Sequence, residues 1–165
     1  MAYEFYLQVV GKDQKTFKGD KKPKKGREDW MLCTAIEMGV HNPYDPNTGE
    51  VKTNTVREPL HLTKEWSPAS PMIAQAAYRQ ETLDKVVIEV VGRSEDGKNE
   101  IVIERITLDE AKVIKFKRFT ETPTKEASLH DTEHLETVGF GYRKVTFERP
   151  MDSTTTMYDW ANPDA

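Results

Sequence analysis

The chain is short of several things, and each shortage narrows what it can be. Among its 165 residues there is one cysteine, Cys33. No intrachain disulfide framework can form, and such a chain suits a reducing compartment. No stretch approaches the roughly 18 apolar residues of a membrane-spanning helix. The opening MAYEFYLQVV has neither a basic region nor a long apolar run. No cleaved secretory signal is therefore expected; the expected location is the cytoplasm, and any export must use a route without such a signal. Basic charge is not in excess: the net charge is −4, which argues against a strongly basic protein while permitting a local basic patch. There is no GxSxG, P-loop, GxGxxG or CxxC pattern, so neither a cofactor nor a nucleophile elbow is indicated.

What is present is mostly strand pattern. Tyr3, Phe5, Leu7 and Val9 alternate with polar or amphipathic residues, the period of a half-buried strand. Gly11–Asp29 is rich in Lys, Asp and Gly and reads as a mobile loop. Trp30–Met38 carries apolar residues in both phases, which predicts burial on both faces. Further strands are expected over Pro59–Glu65, Lys85–Val91, Glu100–Leu108, Lys112–Phe119 and His134–Arg149, with an edge strand over Thr154–Trp160. Val86, Ile88 and Val90 should share one face, and Asp96-Gly97 should turn the hairpin that follows. A phase change near Gly141 predicts a bulge or a sharp bend.

One helix is expected, over about 70–82, with Ser70 as N-cap, Pro71 in its first turn and a stripe of Met72, Ile73, Ala76 and Ala77. So short a helix must be held by packing. The composition suits one domain spanning 1–165. Several short strands with one helix indicate an all-β fold, a two-sheet barrel or sandwich.

The long connection over about 42–56, NPYDPNTGEVKTNTV, is unusual for a compact domain and marks an interaction arm. Its prolines limit its freedom, which lowers the ordering cost of docking. The residues such an arm would offer a partner are Tyr44, Asp45, Pro46, Asn47, Thr48, Glu50, Lys52 and Asn54. Lys112, Lys115 and Lys117 are expected to meet solvent, in a channel or on an outer wall.

Other patterns carry less. His130 and His134, with Asp131 and Glu133 between them, have a spacing that could hold a metal on a helix. They precede a strand, where positions four apart are roughly 13 Å apart, and no third ligand is evident. A solvated loop is the preferred reading, with a metal-dependent enzyme as its alternative. Lys21–Arg27 concentrates five positive charges. It reads as a solvated hairpin offsetting acidic neighbours, since no aromatic residue interleaves to stack bases; a carbohydrate- or nucleic-acid-binding β-sandwich is the alternative. Cys33 reads as a small core residue.

The order of several segments resembles the haemolysin-coregulated protein (Hcp) family of bacterial type VI secretion. They are His41–Gly49 (HNPYDPNTG), Arg57–Lys64 (REPLHLTK), Ser70-Pro71, Ile106–Leu108 with Ala111 and Val113, His134–Glu136 and Tyr142–Val145. The Lys21–Arg27 run departs from that pattern. The resemblance implies a two-sheet β-barrel with a short flanking helix, hexameric rings stacked into a hollow tube, and ejection by a contracting sheath with its spike and baseplate. It also implies inter-subunit or inter-ring contacts for the arm residues Tyr44 to Asn54 named above, effectors carried in the lumen and no catalytic residues. No nucleic acid or membrane partner is expected.

Overall fold

The computed structural model describes residues 3–51, 54–121 and 133–162. The alternating N-terminal segment forms β1 (Glu4–Gly11), with Leu7 and Val9 turned into the core. It lies between β3 (Met31–Glu37) and β7 (Leu83–Arg93), antiparallel to both. From β3 the sheet continues through β6 (Leu60–Glu65) to β9 (Glu133–Gly141). On the other side β7 pairs with β8 (Glu100–Glu121), and β8 also pairs with β9. The order β8-β7-β1-β3-β6-β9-β8 therefore closes on itself as a six-strand barrel. Closure removes the sheet edges that a sandwich would leave open. β10 (Lys144–Arg149) and β11 (Thr154–Asp159) extend the sheet beyond β8, joined by a 3₁₀ turn at Pro150–Asp152. The short β2 (Lys15–Thr16) adds to β1.

One strand is longer than its sequence suggests. The two segments expected before and after residues 109–111 are a single 22-residue β8. Its first half pairs with β7 and β10 and its second half with β9. A positive φ of 48° at Glu110 and a register shift between Val113 and Lys115 let it turn the barrel corner without leaving the ladder. The anticipated break near Gly141 is a bend: β9 ends there and β10 starts at Lys144.

Two expectations need correction. β3 is buried on one face only, for Met31 and Cys33 are in the core whereas Leu32 is 45% exposed. The Gly11–Asp29 segment is anchored: Phe17 is fully buried in the core and Asp20 accepts a hydrogen bond from the Leu32 N–H at 2.7 Å. In β7, Val86, Ile88 and Val90 share one face as expected, opposite Val9, Leu7 and Phe5 of β1; the register shift between Val90 and Val91 is a bulge at Ile103 of β8. The polar segment after β8 lies outside the described residues.

The helix α1 runs Ser70–Tyr78 and buries Ile73 and Ala76 against the barrel. Ala69 occupies the N-cap position, and no side chain caps the helix. The Ser70 hydroxyl is engaged elsewhere. It accepts from the Ser67 N–H at 2.9 Å and donates to Glu136 Oε1 at 2.8 Å. Glu136 also meets Lys64 Nζ at 2.7 Å, and both side chains are sealed from solvent, at 0% and 1% exposure. Lys64 Nζ donates further to Ser67 Oγ (2.9 Å) and the Glu65 carbonyl (2.8 Å). This buried pair fastens α1 to β6 and β9.

A second polar clasp ties the helix and the residues that follow it to the turn after β1. Glu81 Oε1 accepts from the Asp13 and Gln14 N–H groups at 2.8 Å each, and Oε2 accepts from Gln14 Nε2 at 2.7 Å. That amide also donates to the Met72 carbonyl at 3.0 Å. Gly11 makes room, since a Cβ there would lie 2.5 Å from Glu81 Oε1. Burial alone would raise the Glu81 carboxyl, but these hydrogen bonds hold it below its ordinary value of 4.5. A depressed carboxylate stabilises the fold above its unfolded value, and that contribution is lost as pH falls through the folded value. Glu81→Ala should therefore cost about 2–3 kcal/mol at neutral pH. The deficit should shrink in acid, as read by urea titrations at both pH values.

Candidate assembly surface

The long connection folds into a two-stranded ribbon. β4 (Val40–His41) pairs with β5 (Val56–Arg57), Val40 opposite Arg57 and His41 opposite Val56. Beyond them Tyr44 bridges to Val51. The tip is set by local turn chemistry. The Asp45 N–H donates to the Glu50 carbonyl at 2.8 Å, and the Gly49 N–H donates to the Asp45 carbonyl at 2.7 Å. Asp45 Oδ1 accepts from the Asn47 N–H at 2.9 Å, an Asx turn. Gly49 supplies a φ of +75°, which a side chain would disfavour. Lower down, Thr55 Oγ1 donates to Asn42 Oδ1 at 2.6 Å.

Tyr44, Asp45, Pro46, Asn47, Thr48, Glu50 and Asn54 are thus gathered on one projecting element; Lys52 lies outside the described residues. The ribbon also carries four exposed apolar side chains: Val40 (58%), Tyr44 (63%), Val51 (61%) and Val56 (42%). Sequence reasoning picked out the tyrosine but not the valines. Their signal was slight, single valines inside polar stretches. Apolar groups concentrated on one projection mark a surface suited to a partner.

A second surface is polar. On the outward face of β7, β8 and β10 acidic and basic side chains alternate, among them Lys85, Asp109 and Lys144. A chain of ion pairs runs across this face. Arg27 reaches Glu89 (2.8 Å) and Glu100 (2.6 Å), and Arg105 reaches Glu89 (3.1 Å) and Glu148 (3.3 Å). Arg27 also lies against the rings of Tyr6 (4.7 Å) and Trp30 (4.8 Å). The basic run is therefore solvated only in part: Lys24 pairs with Glu4, and Arg27 is buried and neutralised. Offsetting of acidic neighbours, as expected, is what these two charges do. Lys112, Lys115 and Lys117 are exposed along β8.

The histidine pattern does not assemble a site among the described residues. His134, in β9, stacks on Trp66 with ring centroids 4.7 Å apart, and Arg118 lies 3.9 Å over that same indole. Glu133 opens β9, exposed. His130 and Asp131 lie outside the described residues. No group of three metal-ligating side chains occurs among those described. Burial pushes the Cys33 thiol up to about 12, which makes it a core residue and a poor nucleophile.

Residues 6–148 match the family model of the type VI secretion system effector Hcp. The major exported protein of Pseudomonas aeruginosa is 30% identical over 141 residues, covering 86% of this chain and 81% of that one. Solved structures repeat the fold. A crystal structure of an Hcp protein superposes with a TM-score of 0.86 at 22% identity, covering 96% of this chain and 98% of the other. The Hcp1 protein of an E. coli EAEC 042 pathovar, as a double-tryptophan mutant, gives 0.82 at 23%, with 96% and 99% covered. The secreted protein Hcp3 of Pseudomonas aeruginosa gives 0.76 at 23%, again with 96% and 99% covered.

Proposed function

The chain belongs to the Hcp family of type VI secretion, and on that premise we propose that it is a structural subunit of the secretion tube, a single-domain protein that works by joining copies of itself. Hexameric rings stack into a hollow tube that the sheath drives outward with its spike and baseplate. The subunit leaves the cell with the tube, and effectors travel in the lumen. No step of this role calls for catalysis.

The observation that carries the reading is the ribbon: one projecting element, outside the barrel's ladder, gathers the exposed apolar side chains of Val40, Tyr44, Val51 and Val56 beside a preformed turn. A ring requires a heterologous contact, one patch meeting a different patch on the next copy. A projecting arm with a preformed tip meets that requirement at small ordering cost. The Asp45–Asn54 stretch supplies contacts within or between rings. The test is the mass in solution by light scattering, followed by negative-stain imaging. A species of six times the 19.0 kDa chain mass, seen as annuli, is the expected result. A strictly monomeric protein at high concentration would remove the reading.

A further inference from the structure

The ribbon is a sheet of its own. Among the described residues β4 and β5 pair only with each other and share no ladder with the barrel. Its base is closed by the Glu58 N–H donating to the Gly39 carbonyl at 2.8 Å, a bond between its own two legs. Backbone hydrogen bonding thus fixes the ribbon's internal shape but not the direction in which it leaves the barrel. Its legs continue from the paired strands β3 and β6, and side chains from the far end of the chain add a second restraint.

Arg57, in β5, holds its guanidinium carbon 4.2 Å from the Trp160 ring centroid and 6.0 Å from that of Tyr142. The indole is itself pinned. Tyr158 packs against it edge-on at 4.1 Å and Tyr142 at 6.2 Å, and the backbone at its root is held, the Trp160 main-chain N–H donating to the Arg143 carbonyl at 3.1 Å. Tyr142 is buried, and its hydroxyl donates to the Glu58 carbonyl at 3.5 Å, one residue beyond Arg57. Two contacts of different kinds therefore join the root of the ribbon to the end of β11 and the β9–β10 bend. A planar guanidinium over an indole is the strongest of the ordinary cation–π pairs. An aromatic ring already held by its neighbours loses little freedom when the cation arrives.

We propose that Trp160 is a positioning residue for the ribbon. By seating Arg57 it sets the angle at which Tyr44 and Val51 are presented to another copy of this chain. The C-terminal strand thereby acts on assembly through the ribbon. The clamp is a property of one chain; its consequence for assembly rests on the tube reading above.

The test measures the ribbon's direction inside single chains. Spin labels on Thr48→Cys at the tip and Lys117→Cys on β8, in full-length protein diluted with excess unlabelled chain, report the tip-to-barrel distance; buried Cys33 stays unlabelled. Arg57→Ala and Trp160→Ala should each broaden the distance distribution and lower the ratio of seated to unseated ribbon about three- to tenfold. Trp160→Phe should keep most of the narrow distribution. The double alanine variant should be no broader than either single one, because both remove one contact. Arg57→Ala leaves the aromatic cluster whole, so the result stands even where Trp160→Ala loosens β11. A distribution unchanged in Arg57→Ala, or additive broadening in the double variant, overturns the proposal. The tube reading is judged separately, by whether removal of the arm abolishes rings. Unchanged widths with rings lost would remove the clamp alone, and broadened widths with rings intact would remove the arm's role in assembly alone.

Discussion

Lys64→Met should lower the free energy of unfolding by about 3–5 kcal/mol, the usual cost of stranding one half of a buried ion pair. The pair it breaks has no solvent to fall back on. Glu136 would keep the Ser70 hydroxyl at 2.8 Å as its remaining close donor, with Arg118 Nε 3.7 Å from Oε2. Oε2 has no hydrogen-bond partner even in the intact protein. The damage should be mostly the unpaired charge, not lost volume, because methionine nearly fills the lysine stem's space. Lys64→Met combined with Glu136→Leu should therefore recover much of the loss. Denaturant titrations of the two variants separate the causes. A double variant as weak as the single one would mean that α1 is held chiefly by the geometry of these hydrogen bonds. A loss below about 1 kcal/mol in Lys64→Met would show that the pair is not sealed as described.

Removing residues 45–54 should give a folded protein that forms no rings. Within the deleted stretch Pro46–Val51 and Asn54 are exposed, and the β4–β5 pairing and the Glu58–Gly39 bond lie outside it. Stability should change little, as for most exposed segments lacking buried partners. Light scattering and negative-stain imaging would read the assembly, and circular dichroism the retained barrel. Milder variants should grade the effect. Tyr44→Ala removes an aromatic side chain of the kind that carries interface energy, and a weakening of about 1–2 kcal/mol per contact, roughly tenfold in assembly midpoint, is expected. Intact rings in the deletion variant would refute the arm's role.

Much of the barrel is legible in the sequence because alternation speaks directly to which side chains face inward. β1 falls where its period-two pattern places it, and β6 and the edge strand β11 fall within the segments expected to be strands. The ribbon's tip is legible for another reason, the turn chemistry of Asn47-Thr48-Gly49. What stayed hidden depends on partners far along the chain. Lys64 has the phase of Leu60 and Leu62 on the buried face of β6, and nothing near it in the sequence names the partner, Glu136, that β9 brings across. Ser70 before a proline has the look of a helix cap, yet its hydroxyl is claimed by that same carboxylate. Arg27 sits in a run of lysines that suggests a wet loop, and only the fold supplies Glu89 and Glu100 beside it. The unbroken course of β8 was hidden by Asp109-Glu110, polar residues that look like a turn until strands on both sides hold them in register. In the assembly surface, the turn residues announced themselves and the valines beside them did not, because an isolated valine in a polar stretch carries no periodicity.

The position of β1 between β3 and β7 has a consequence for how the molecule is made. Its first neighbour emerges early, but its second, Leu83–Arg93, is encoded about half the chain later. At roughly 5–20 residues per second of synthesis, the nascent N-terminal strand waits several seconds with one flank bare. That flank belongs to YEFYLQVV, an apolar and β-prone sequence. A polypeptide stalled or cut before Arg93 would keep it bare, offering other nascent chains a template for aggregation.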